Sequence, residues 1–200
     1  MLEVVKRSKI FVRKFLTTNL PADMHFHNIG HAEDVAYAVN RIGLNSSLPQ
    51  EDLDILAVAA WFHDTGYCFE YEGHENSSID IAEGFLNHEN CERPFIDKVL
   101  ECIRSTRFPQ EPTNLLEQII CDADLYHFSK TNYNDYARRL REEWSLVLHK
   151  TFTDRDWNSQ NLEILRKHRF HTDYGRQILE RRKQVNIKTL GSAIVKKDVD

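Results

Sequence analysis

Histidines and carboxylates gather in four short stretches of this chain. They are His27 and His31 in HFHNIGHAEDV, the adjacent pair His63-Asp64 in AAWFHDTG, His74 in HENSS, and Asp122 with Asp124 in CDADL. Histidines four positions apart share one face of a helix, because a helix turns once per 3.6 residues. His27 and His31 therefore enter one cavity if their helix starts early enough to include His27. His63-Asp64 follows ILAVAAWF, a run apolar enough to be buried. A carboxylate at the end of such a helix is costly unless it is paired or bound to a metal. Asp124 repeats the situation after LLEQII. Two imidazoles with two carboxylates suit Mn, Fe, Co, Ni or Zn, with positions left for water and substrate. A metal so held lowers the pKa of bound water and supplies a nucleophile near neutral pH. Taken singly, each residue has a plainer reading. A histidine beside an apolar helix is usually a hydrogen-bonded structural residue, and an aspartate can simply pair with an arginine. The combination and its order along the chain favour chemistry.

The elements that must position these residues read as helices throughout. Val4, Val5, Ile10, Phe11 and Phe15 recur at helical spacing, and TTNLPAD breaks that first helix. A second helix runs from about Ile29 to Ile42, with Gly43 as its stop signal. Pro49 opens a core helix that runs into HDTG, where Gly66 offers the left-handed conformation that ends helices. YCFEYEG is a non-periodic connection, and HENSSIDIAEGFLNHEN and RPFIDKVLECIRST restart the helical period. RFPQEPTN is a loop; LLEQIICDADLYHF and YNDYARRLREEWSLVLHK are helices, and a last long helix spans roughly Trp157 to Gln184 before a tail of mixed polarity. No strand-like alternation or internal repeat is present. The reading is one all-α domain.

Composition narrows the partners. Apolar residues make up 41% of the 200, enough for a real core, and 26 basic against 31 acidic residues give a net charge of −5. That balance gives no electrostatic reason to expect nucleic acid or an anionic membrane. No apolar run approaches the roughly 18 residues of a membrane span, and the start lacks the features of a secretory signal. Cys68, Cys91, Cys102 and Cys121 show no C-x-x-C spacing, which argues against a zinc ribbon and for a reducing compartment, the cytoplasm. Cys102 and Cys121 read as small core residues.

In the order His31, His63-Asp64, Asp124, the sequence resembles the HD-domain superfamily of metal-dependent phosphohydrolases. The resemblance implies a single compact HD-domain-like helical bundle over residues 1–200. Its metal-site core covers about 25–130, and C-terminal helices at about 131–185 complete the bundle. It also implies His31, His63, Asp64 and Asp124 as ligands of a divalent ion (Mn, Fe, Co, Ni, Zn or Mg), with Asp64 orienting the metal's water. FHNIGHAEDV is similar to the YHNxxHAxDV signature of class I cyclic nucleotide phosphodiesterases, which makes His31 the ligand and His27 the general acid. CDADL is similar to the Ala-Asp-Leu segment of the last ligand. That selects Asp124 and leaves Asp122 behind the ligands or at the surface. The chain departs from its relatives in three ways. It lacks the nucleotide-binding glutamine region of phosphodiesterases. Tyr67 stands where small 5′-nucleotidases carry a glutamate. Ser105 and Thr106 stand where two-metal branches place a further histidine, so His74 is a second-metal or phosphate contact without a full ligand set. Arg104 and Arg107 are candidate phosphate contacts with a plainer surface role. Tyr67, Phe69 and Tyr71 could stack on a base.

The expected function is hydrolysis of a phosphoester, of a nucleotide or another small phosphorylated metabolite, by a metal-activated water. A non-catalytic nucleotide- or protein-binding HD module and, further off, a di-iron HD oxygenase are the alternatives. A plain helical interaction protein would make the four ligand-like positions a coincidence. The expected partner is a small phosphorylated substrate; neither nucleic acid nor membrane is expected, and a homo-oligomer is compatible with the pattern.

Overall fold

The computed structural model describes residues 2–196, of which all regular structure is helical. Helices account for 75% of the described residues, which settles the class as all-α. No described helix is long and apolar enough to cross a membrane. The chain divides into two compact units, 1–22 with 27–124 and 23–26 with 125–200.

The first unit holds α1 (Leu2–Asn19), α2 (Ile29–Asn45), α3 (Gln50–Phe62), α4 (His74–His88), α5 (Arg93–Ser105) and α6 (Leu115–Asp124). Helix α3 is its axis: from Leu53 to Phe62 all but Ala57 are buried, and the helix packs against α1, α2, α5 and α6. A helix apolar on every side is stable only when covered on every side. Phe62 closes its lower end in an aromatic cluster, with ring centroids 5.8 Å from Phe11 and 5.3 Å from Phe85. Cys102 and Cys121 are buried, as expected, and all four thiols are unpaired.

Two glycines do other work than their sequence context suggests. Helix α2 does not stop at Gly43 but runs to Asn45. A Cβ on Gly43 would meet Leu53 Cδ2 at 2.5 Å, so this glycine lets α3 approach α2 rather than ending a helix. Gly66 does not take a left-handed conformation either; among the described glycines Gly73 alone does, with φ 79° at the start of α4. Gly66 lies in a tight 3₁₀ turn, Thr65–Cys68. Its missing side chain leaves room for the backbone of α4, since a Cβ there would sit 1.9 Å from the His74 carbonyl oxygen.

The second unit holds α7 (Tyr133–Val147), α8 (Asp154–Lys167) and α9 (Glu180–Lys196). The single long helix expected from Trp157 to Gln184 is two helices. They are separated by an extended turn at His168 (ψ 142°) and a π-helical turn over Gly175–Leu179. The residues expected as a tail after Gln184 continue α9 to Lys196, and 197–200 lie outside the described residues. The break is held by a lysine that the helical pattern could not flag. Lys183 is fully buried, donates to the His168 carbonyl at 2.6 Å, and pairs with Glu180 at 2.8 Å. Its ammonium also lies 3.2 Å from His168 Nδ1.

Burial, and then the Lys183 charge, push the His168 imidazole down to about 3. The folded chain therefore keeps His168 neutral while the unfolded chain protonates it below about pH 6.5. Its contribution is intact above pH 6.5 and is lost as pH falls toward 3. The loss by pH 5 is about 2 kcal/mol, from 1.36 kcal/mol per pH unit. Urea denaturation at pH 7.5 and pH 5 is expected to show this loss in the parent and a clearly smaller one in His168→Gln. Equal pH dependence in the two proteins would refute the assignment.

Candidate metal centre

The ligand-like side chains come from three helix ends that the packing of the first unit brings together. His31 lies in the first turn of α2, just after the N-cap Asn28, whose side chain accepts from the Gly30 N–H at 2.9 Å. His63 caps the C-terminus of α3, with its N–H still bonded to the Ala59 carbonyl at 2.9 Å. Asp64 follows with φ −108° and ψ 9°, the sparsely used bridge region in which active-site residues are often found. Asp124 is the last residue of α6.

Their inner atoms converge. His31 Nε2 lies 3.1 Å from Asp124 Oδ1, 3.3 Å from Asp64 Oδ2 and 3.3 Å from His63 Nε2. His63 Nε2 lies 3.2 Å from Asp64 Oδ2 and 3.7 Å from Asp124 Oδ1. His31, His63 and Asp124 each place a ligand atom within 4.8 Å of the others. The imidazoles form the buried floor, at 4% and 1% side-chain exposure, while Asp64 and Asp124 keep 13% and 19%. Access is thus from the carboxylate side.

The chemistry of this set fits a cation. His63 Nδ1 lies 2.9 Å from the Ala60 carbonyl oxygen and can only donate to it. In the neutral ring that leaves a lone pair on Nε2, facing the cluster. Asp64 Oδ2 is buried and receives no hydrogen bond. Lone pairs converging on one another are repulsive until a proton or a metal ion joins them. Without a metal, protons do so. Burial pulls the His63 pKa down, but the Asp64 charge and the Asp124 hydrogen bond outweigh it and hold the imidazolium well above its ordinary range. Burial alone would raise the two aspartates. The His63 charge lowers Asp64 well below the usual carboxylate range, and hydrogen bonds from His31 and His63 do the same to Asp124.

The HD domain family model matches residues 28–129, a span that includes all four converging side chains. The chain belongs to the HD-domain family. Comparison with curated proteins and with solved structures finds no match. As an HD domain the chain falls within a superfamily of metal-dependent phosphohydrolases, and its His/Asp cluster is one that could hold a metal.

The other expected site residues of this HD domain are placed less simply. His27 lies two residues before α2, ahead of an N-cap in extended conformation (φ −140°), and so does not share a helix face with His31. A bend brings it near: the His27 and His31 ring centroids are 6.0 Å apart. His74, at the start of α4, reaches Asp64 Oδ1 at 3.3 Å. Between these two histidines stands Tyr67, stacked on His27 at 4.2 Å and on His74 at 3.7 Å, with its hydroxyl 3.3 Å from His27 Nε2. Both faces of Tyr67 are covered, so it cannot stack on a base; Phe69 is exposed. Asp122 is fully buried, which removes the surface role considered for it, because it lies on the inner side of α6. Arg107 pairs with Asn76 at 2.7 Å and approaches Glu75 at 3.8 Å, contacts that tie the loop after α5 to the first turn of α4. Ser105 and Thr106 bond back to carbonyls of α5, at Cys102 and Ile103. Glu33 is paired with Arg13.

One contact had no signal in the sequence: Gln110, in the loop between α5 and α6, donates to Asp124 Oδ2 at 3.0 Å. Thiol chemistry has no place here. Burial pushes the Cys68 thiol up to about 11 and Cys121 to about 12, too high for a thiolate nucleophile near pH 7.

Proposed function

We propose that this HD domain hydrolyses a phosphoester of a small metabolite, a nucleotide or another phosphorylated compound. The observation that carries this reading is the convergence of His31, His63, Asp64 and Asp124 around one point, with two carboxylates partly open to solvent. His31 and His63 would hold a divalent cation from below, and Asp64 and Asp124 from the open side. Bound there, the cation supplies Lewis-acid polarisation of a phosphoryl oxygen and an acidified water.

The chain's own groups would do the rest. Asp64 keeps its Oδ1 edge toward His74, so it can orient a water while its other oxygen faces the two imidazoles. His27 stands beside the ligand group and would give a proton to the departing oxygen, as a general acid. Tyr67 holds the plane of that ring by stacking on it. His74 is a candidate contact for a phosphate oxygen or a second ion. The four free thiols are in keeping with a reducing, cytoplasmic setting.

The test is a screen of phosphomonoesters, nucleotides and cyclic nucleotides with Mn, Co, Fe, Zn or Mg, with metal content measured on the same protein. Turnover that tracks metal content is the expected result. Absence of turnover with every metal, together with nucleotide-induced thermal stabilisation, would instead make the chain a binding module.

A further inference from the structure

The ligand atoms of the cluster are steered from behind, and the partners doing so are of different kinds. His63 is held by the Ala60 carbonyl of its own helix, and Asp64 Oδ1 by His74 at the start of α4. Asp124 is different. Its Oδ1 faces His31, while its Oδ2 accepts from Gln110, which belongs to a loop. A carboxylate only accepts when ionised, so the Gln110 amide must present its nitrogen.

That loop is well anchored. At its start, Thr106 Oγ1 donates to the Ile103 carbonyl at 2.8 Å, and Arg107 donates to Asn76 at 2.7 Å. At its end, Asn114 accepts from the Glu117 N–H at 3.1 Å. Glu117 in turn accepts from the Asn114 amide at 2.8 Å and from the Thr113 N–H at 2.6 Å. This reciprocal arrangement is a variant of the capping box for α6, with the Glu117 carboxylate reaching the N–H one residue before the cap. Gln110 is therefore delivered to Asp124 by a loop fixed at both ends.

We propose that Gln110 is a positioning residue that holds Asp124 to a single inward oxygen, keeping one coordination place open for water or substrate. The inference rests on the cluster binding a divalent ion, as proposed above. With Oδ2 held by Gln110, Oδ1 is the oxygen aimed at an ion between the two histidines. Without that donor the carboxylate can rotate and offer both oxygens, or turn away.

Cobalt(II) tests this without relying on turnover, because its visible absorption reports its coordination. Parent protein, Gln110→Met (similar size, no donor), Gln110→Glu (similar size, the neutral donor replaced by an anionic acceptor) and the neighbouring control Glu111→Gln would be titrated with Co²⁺ by calorimetry. The visible spectra of the loaded proteins would then be compared. Losing a hydrogen-bonding partner behind a metal ligand typically weakens affinity about 10–100-fold. Such a loss is expected in Gln110→Met, with a changed cobalt spectrum in both Gln110 variants, while Glu111→Gln matches the parent. Affinity within twofold of the parent and an unchanged spectrum in Gln110→Met would overturn the role of Gln110 and leave the metal site standing. No Co²⁺ uptake by the parent would overturn the metal site, and this role with it.

Discussion

His63→Ala is expected to purify without stoichiometric metal and to lose phosphoesterase activity by more than 100-fold, beyond the usual upper range for losing a partner behind a ligand. His63 is almost wholly buried and sits 3.2–3.7 Å from three other ligand atoms. Removing it deletes a donor and leaves the His31 imidazole to bridge Asp64 and Asp124 by itself. The informative companion is His27→Ala. His27 has Tyr67, Tyr71 and the edge of His31 among its neighbours. That variant should retain metal and lose about 10²–10⁴-fold on esters with poor leaving groups, the range of general acid catalysis. It should lose little on p-nitrophenyl esters, whose leaving oxygen needs no proton. Metal analysis and rates on the two ester types separate the roles. Full metal content in His63→Ala would refute its role as ligand, and equal losses on both ester types in His27→Ala would refute proton donation.

Gly66→Ala is expected to destabilise the fold by about 3 kcal/mol or more, at or above the upper end of overpacking effects. An added Cβ would lie 1.9 Å from the His74 carbonyl oxygen, 2.8 Å from its carbon and 3.0 Å from the Ser78 nitrogen. All three are backbone atoms of α4 and cannot yield by a change of rotamer. The Gly66 N–H also donates to the buried Ser78 hydroxyl at 2.8 Å, so moving the turn away breaks that bond as well. Because the turn begins directly after Asp64, the strain falls on a proposed ligand, and weakened metal retention should accompany the lower melting temperature. Gly84→Ala, in the same helix and with no atom within 4 Å of the new Cβ, should stabilise by about 0.5–1 kcal/mol. Thermal melts of the two variants check this, and a neutral Gly66→Ala would show that α4 can shift freely.

His63, Asp64 and Asp124 were readable as candidate ligands because they follow apolar runs at helix ends. Such a carboxylate or imidazole is costly unless used, and that cost is visible in composition alone. The turns were less readable. Gly43 and Gly66 look like helix stops, but their cause is the approach of another segment, Leu53 in one case and the α4 backbone in the other, and a local pattern holds no record of what comes near. The break at His168 is invisible for the same reason: it depends on a buried ammonium fifteen residues further on. His27 was grouped correctly with His31, although the expected shared helix face is absent and a bend supplies the proximity. Gln110 was beyond reach, since its contact comes from a loop whose path follows from anchors at Asn76 and Glu117.

His31 and Asp124 are separated by 93 positions yet lie 3.1 Å apart. An ion shared between them would close a ring of chain that contains most of the first unit. In this respect it acts as a reversible crosslink. It removes loop freedom from the unfolded ensemble much as a disulfide does, by an amount that grows only slowly with ring size. Opening of α2 away from α6 and release of the ion then become one event, so the lifetime of the bound ion would set the pace at which this half of the molecule opens.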